Sequence, residues 1–340
     1  MNTMDALVCI KPGELKLMQR RRPVRGPGEV LVKPVRIGIC GTDYHIYEGN
    51  QPFLDYPRVM GHELAVEVVD AEPESGFAAG QLCVVNPYLS CGQCVACRQG
   101  KPNCCVNIAV LGVHRDGGMT RLLSLPPQNL IPAEGLTADQ CAMVEFLAIG
   151  AHAVRRGAVS PRDRVLVIGA GPIGLGVGLF ASLSGGAVTM MDRDPARLTV
   201  ASGLFACTPS IVAGGDASEA IAALTDGEGF DVVFDATGSR QSIEAAFAYV
   251  ASGGRYVLVS IVKGDITFTD AEFHRKELTL LGSRNATLED FTRVMSAIRA
   301  GSVRSEEWIS HRTSLADAGA NLPVWAKSKT GLIKAVIEVV

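Results

Sequence analysis

The chain lacks an extended basic tract, an acidic tail, an internal repeat or a low-complexity segment; its one cluster of arginines, Arg20-Arg21-Arg22, is short. A net charge of −3 over 340 residues leaves no electrostatic footprint for nucleic acid or an anionic membrane surface, so neither is expected as a partner. Residues 1–20 alternate charged and apolar side chains, with no apolar core running into a small-residue cleavage site, and no signal peptide is expected there. The ten cysteines are therefore expected to be reduced thiols of a cytoplasmic protein, open to metal, and not a disulfide framework. One uncharged stretch, 165–191, is long enough to span a bilayer. It is dense in glycine, carries Pro172 and runs straight into Asp192 and Arg193, so it reads as a buried strand, a glycine turn and a helix on a parallel sheet.

The length suits two domains, and 47% hydrophobic residues are enough to fill two cores. The first part reads as short strands joined by turns: Ala6–Ile10, Val30–Val32, Leu64–Val69, 81–86 and an apolar run over 109–125 broken by Asp116-Gly117-Gly118. No long helix alternates with them, which predicts an antiparallel β body. The pattern changes near Thr137, a candidate N-cap for a helix over 138–156. Strands at 164–169, 187–192, 230–235 and 254–260 then alternate with helical stretches such as 195–205 and 242–251, the signature of a doubly wound α/β sheet. A strand at 278–282, a helix at 288–299 and a β-like segment at 334–340 close the chain, the last expected to return to the first body.

Between the strands at 164–169 and 187–192 lies Gly169-Ala170-Gly171-Pro172-Ile173-Gly174, a G-x-G-x-x-G run. The first glycine makes the turn, the second lets backbone approach a pyrophosphate, and the third lets helix and strand pack closely. The helix N-terminus offers free N–H groups and a positive dipole end to the phosphates. Asp192, 18 residues beyond Gly174, suits the ribose hydroxyls and would repel a 2′-phosphate, favouring NAD over NADP. Arg193 beside it leaves NADP open, and Arg193 and Arg197 join the candidate cofactor residues.

Cys91, Cys94, Cys97 and Cys105 have the spacing of a closed tetrathiolate zinc shell, although Cys104 competes with Cys105 for the fourth place. A second set is Cys40 with the adjacent His62 and Glu63: a thiolate on one segment and an imidazole and a carboxylate on another can hold a zinc that keeps a position open. Asp43 is placed to hold the free ring nitrogen of His62. Thr42 offers a hydroxyl near the metal, and His45, an imidazole, suits passing a proton to water.

In that order, the Cys40-Gly-Thr-Asp43 and Gly61-His-Glu63 motifs, the four-cysteine loop and the glycine run resemble the zinc-dependent medium-chain dehydrogenase/reductase (alcohol dehydrogenase) superfamily across essentially the whole chain. Residues 49–53, 112–114, 273–277 and 282–287 are similar to its polyol and sugar-acid branch, in particular the L-galactonate and L-gulonate 5-dehydrogenases. The resemblance implies a GroES-like catalytic domain over 1–150, a Rossmann domain over 151–286, and a segment 287–340 returning to the first domain. It implies two zincs per chain, NAD, and a small-molecule alcohol whose hydride passes to the nicotinamide while its proton leaves through Thr42 and His45. Cys40 and His62 would ligate the catalytic zinc with Glu63 or Glu145; where the branch reads Glu-Pro, this chain reads Glu145-Phe146. Lys334 stands where relatives place a basic residue near the cofactor phosphates, or else on a solvated strand. A dimer or tetramer is implied, with 256–261 as a pairing edge. An aldonate would need a cation, for which His114, Arg115 and Arg284 are candidates; polyols, short diols and L-threonine are the alternative substrates, and a zinc-stabilised NAD sensor without turnover is the alternative class.

Overall fold

A computed structural model describes residues 2–51, 54–207, 209–215, 217–328 and 331–339. Pro52 and Phe53, part of the branch-like segment 49–53, lie outside the described residues, as does Val340. The chain divides into two compact units, one of residues 1–145 with 287–340 and one of residues 146–286.

The first unit is built on a seven-stranded sheet. Its order is Leu130–Pro132, Leu82–Val85, Glu63–Asp70, Val30–Ile39, Lys334–Glu338 and Ile309–Ser314, with Leu123–Leu125 also on Val30–Ile39. All pairs are antiparallel except the last, Ile309–Ser314 on Lys334–Glu338. Val30–Ile39 is the spine. Val30, Val32 and Pro34 point inward while Lys33 points out. The register then shifts between Pro34 and Arg36, and beyond it Ile37, Gly38 and Ile39 are all buried. The irregularity re-aims the strand so that its end enters the interior.

The second unit is a six-stranded parallel sheet. Its order is Ser210–Val212, Ala187–Asp192, Arg164–Ile168, Phe230–Asp235, Val250–Leu258 and Thr279–Gly282. In chain order that is 3-2-1-4-5-6, the doubly wound arrangement whose crevice opens where the order reverses, beside Arg164–Ile168. The stretch 165–191 forms the strand ending at Ile168, the helix Pro172–Leu183 and the strand Ala187–Asp192. No helix among the described residues is long and apolar enough to cross a membrane.

Four expectations are corrected. The helix over 138–156 is two, Ala138–Ala142 and Val144–Arg156, the first ending at Met143 and opened by Thr137, whose hydroxyl accepts from the Gln140 amide. The helix over 242–251 runs from Arg240 to Ala246 and gives way to a tight turn and a strand from Val250. The run 109–125 is mostly not strand: only Ala109–Val110 and Leu123–Leu125 are, because the glycines between them serve the site described below. Residues 256–261 are not an edge either; Val250–Leu258 is paired on both sides, and the edges are Ser210–Val212 and Thr279–Gly282.

Candidate metal centres and nucleotide pocket

Three strands of the first unit deliver one cluster. Cys40 follows the end of Val30–Ile39 and caps the short helix Gly41–Tyr47. Glu63 opens Glu63–Asp70, with His62 just before it, and Lys334 opens Lys334–Glu338. A ligand atom from each of Cys40, His62 and Glu63 lies within 4.8 Å of the others. Gly38 sits between the flanking strands, opposite Glu63 on one side and Val336 on the other. A Cβ there would stand 2.1 Å from Glu63 Oε2, so only glycine leaves room for the carboxylate. Gly61 holds φ at +93°, and a Cβ on Gly117 would meet its carbonyl at 2.3 Å. The amides of Gly117, Gly118 and Met119 donate to Val59, Gly61 and Met60, a backbone clasp that fixes the segment carrying His62.

His62 is buried, which alone would lower its pKa; Cys40, Asp43 and Glu145 outweigh that and hold it well above the ordinary imidazole value. Its Nδ1 has no hydrogen bond and lies 4.0 Å from Asp43 Oδ1. Asp43 thus stands beyond hydrogen-bond reach of the ring it was expected to hold. Its oxygens instead accept the amides of Cys40 at 2.9 Å and Gly61 at 3.3 Å, joining the two ligand-bearing segments. Burial raises the Asp43 pKa, with His62 opposing.

The two glutamates near His62 are held differently from Asp43 and from each other. Glu63 is fully buried and both of its oxygens face the Lys334 ammonium, Oε1 at 2.6 Å. Lys334 is 2% exposed, so it is neither a solvated strand residue nor a free cation for phosphate: its charge is engaged by Glu63. Glu145, in the first turn of Val144–Arg156, lies outside the mutual Cys40/His62/Glu63 set and accepts a hydrogen bond from the Tyr88 phenol. Burial pushes Glu145 up to about 7, with His62 opposing and Glu63 adding to the rise. Thr42 and His45 sit one turn apart on Gly41–Tyr47, Thr42 half-buried and His45 exposed 3.8 Å from Glu48. Among the described residues neither side chain hydrogen-bonds to the ligand set.

The four-cysteine loop closes on itself. Ligand atoms of Cys91, Cys94, Cys97 and Cys105 all lie within 4.8 Å of one another, whereas Cys104 is exposed and lies outside that set. Cys91 and Cys105 sulfurs are 3.4 Å apart and those of Cys94 and Cys97 3.5 Å. Four thiols this close would suit a tetrahedral zinc, whose Zn–S distances of about 2.3 Å would call for sulfur separations of about 3.8 Å. Amides of Cys97 and Val106 pull the Cys94 thiol down to about 6, while burial and neighbouring thiols push Cys97 up to about 11.

In the second unit the glycine run makes a tight cradle. Gly169 holds φ at +98°, and a Cβ on Gly174 would lie 1.7 Å from the Gly169 carbonyl. A Cβ on Gly171, which caps Pro172–Leu183, would meet only Arg197 Nη1 at 3.8 Å, so backbone there is open to a ligand. A cavity of about 400 Å³ borders Gly169, Gly171, Asp192, Arg193, Arg197 and Thr237. Asp192 accepts the amides of Ala170 at 2.6 Å and Asp194 at 2.9 Å, which pins its carboxylate at the cavity wall. Pro172 and Ile173 form the first turn of the helix.

These donor sets fit the groups the sequence implies: four thiols for a closed zinc, a thiol, a buried imidazole whose Nδ1 has no hydrogen-bond partner and a carboxylate for an open one, and a glycine cradle for a pyrophosphate. Tyr88 and Lys334, the partners of the two glutamates, are not marked as such in the sequence; a lone tyrosine before a cysteine loop carries no local signal. His114, Arg115 and Arg284 are all exposed.

Residues 26–135 match the alcohol dehydrogenase GroES-like domain and residues 172–300 the zinc-binding dehydrogenase domain. The chain is 40% identical to an L-galactonate-5-dehydrogenase of Escherichia coli K12, over 99% of each chain. It is similar in structure to the alcohol dehydrogenase RspB of E. coli CFT073 complexed with NADH, with a TM-score of 0.92, 29% identity, and coverage of 99% of this chain and 100% of the other. A zinc-binding dehydrogenase of Sinorhizobium meliloti bound to NADP gives 0.89, 25% identity, 99% and 100%.

Proposed function

Because this chain belongs to the zinc-dependent alcohol dehydrogenases of the medium-chain superfamily, we propose that it oxidises a secondary hydroxyl of a sugar acid, an aldonate such as L-galactonate or L-gulonate at C5, with NAD as acceptor. The observation that carries the chemistry is the convergence of Cys40, His62 and Glu63 within 4.8 Å. The full-length likeness to an L-galactonate-5-dehydrogenase supports the substrate class.

Cys40, His62 and Glu63 would hold the catalytic zinc, with Glu145 beside them; Cys91, Cys94, Cys97 and Cys105 would hold a second, structural one, giving two per chain. Zinc at the open site supplies Lewis acidity, which lets an alcohol give up its proton near neutral pH. Thr42 and His45 carry that proton outward, the exposed imidazole exchanging it with solvent. Lys334 neutralises Glu63, so the centre keeps a net positive field toward substrate oxygen. Gly169, Gly171 and Gly174 let the backbone reach the pyrophosphate at the start of Pro172–Leu183, and Asp192 accepts the ribose hydroxyls. Arg193 and Arg197 line the same cavity. We place the enzyme in the cytoplasm, where ten unbridged cysteines persist, as a homo-oligomer with Thr279–Gly282 as the edge open to pairing.

A panel of aldonates, sorbitol, butanediol and L-threonine, read by NADH absorbance, tests the substrate. An aldonate should give the highest kcat/KM; a polyol or threonine ahead of every aldonate would refute the assignment, and no turnover on any would favour a sensor. Asp192→Ser should shift the NAD-to-NADP preference toward NADP by about tenfold to hundredfold, the scale of removing one like charge. An unchanged ratio would remove Asp192 from cofactor choice.

A further inference from the structure

Besides Asp43, two buried acids, Glu63 and Glu145, belong to the surroundings of His62, and each has its own donor of a different kind. Glu63 takes the Lys334 cation, while Glu145 takes the neutral Tyr88 phenol on Oε1. Tyr88 is itself rigidly held. Its strand, Tyr88–Leu89, pairs with Ala109–Val110, and its amide donates to Asn86 Oδ1 at 3.1 Å. Asn129 Nδ2 donates to its carbonyl at 3.4 Å, and its ring meets Phe291 edge-on at 6.3 Å. Tyr88 is 7% exposed and Glu145 3%.

We propose that Tyr88 is a positioning residue that tethers Glu145 outside the Cys40/His62/Glu63 set and so keeps the fourth metal position open for substrate. The inference rests on reading that set as the catalytic metal site. A glutamate has three rotatable side-chain torsions, and one beside a divalent cation is a ready ligand. Glu145 lies close enough to His62 and Glu63 to feel both charges, yet stays outside the mutual ligand set. The phenol, on a strand anchored by backbone and amide contacts, is the group that holds it there.

The test compares the cobalt-substituted enzyme with Tyr88→Phe, which keeps the ring and its contact with Phe291. The variant should change the visible cobalt bands as Glu145 enters the shell. It should release metal to a chelator about fivefold more slowly, the scale of one hydrogen bond exchanged. Its kcat should fall with little change in KM. Adding Glu145→Gln should return both spectrum and release rate to those of the parent. Tyr88→Phe with the parent's bands and release rate overturns the proposal, and so does faster release, which would mean that the phenol holds Glu145 toward the metal. Failure of the underlying reading looks different: the parent would then take up one cobalt per chain, with bands that Cys40→Ser leaves unchanged.

Discussion

Cys40→Ser is expected to lower turnover on the order of a thousandfold while leaving NADH binding as it was. The size follows from losing several kcal/mol of Lewis-acid stabilisation at about 1.4 kcal/mol per tenfold in rate. The selectivity follows from the architecture. Cys40 belongs to the unit of residues 1–145 and 287–340, whereas the glycine cradle and Asp192 belong to the unit of residues 146–286. Metal analysis should fall from about two zincs per chain to one, since the four-cysteine loop does not include Cys40. His62→Ala should behave alike. Titration of NADH fluorescence alongside the activity assay checks both halves, and full activity in a metal-free preparation would contradict the mechanism outright.

Lys334→Met should destabilise the protein by about 3–5 kcal/mol, because it leaves the fully buried Glu63 without its cation. For a unit of this size that corresponds to a fall in melting temperature of roughly 10 °C. Adding Glu63→Gln removes the stranded charge and should recover most of the loss, though not activity. Thermal melts of the single and double variants decide it: a single variant that melts with the parent, or a double variant no better than the single, would show that the pair is not what stabilises this corner. The penalty should shrink when metal is bound, since a divalent cation also compensates Glu63.

What the sequence made legible was local. The glycine run announces its own geometry because the turn, the helix start and the following Asp192 all fall within one strand-helix-strand unit. Cys40 and the His62-Glu63 pair are short motifs, and the four cysteines carry their ligand count in their spacing. What stayed hidden depends on partners far away in the chain. Lys334 meets Glu63 across 271 positions, so nothing near it marks it as buried. Tyr88 meets Glu145 across 57. Apolar patterning marks 254–260 as a strand but not which neighbours it has, so it does not separate a strand paired on both sides from one with a free edge. The helical period runs on through Met143, which is why two helices looked like one. A carboxylate such as Asp43 suits an imidazole by type, but its oxygens accept the backbone amides of Cys40 and Gly61, partners that sequence patterning does not reveal.

The slot filled by Lys334–Glu338, between Val30–Ile39 and Ile309–Ser314, also orders events on the ribosome. The 146–286 unit is contiguous and can complete itself while later codons are still being read. The other unit must wait: until its last strand emerges, Val30–Ile39 has an unfilled flank and Glu63 faces no counter-charge. A polypeptide ending before residue 334 would hold every strand of the 146–286 sheet but would lack the cation that Glu63 meets in the full chain.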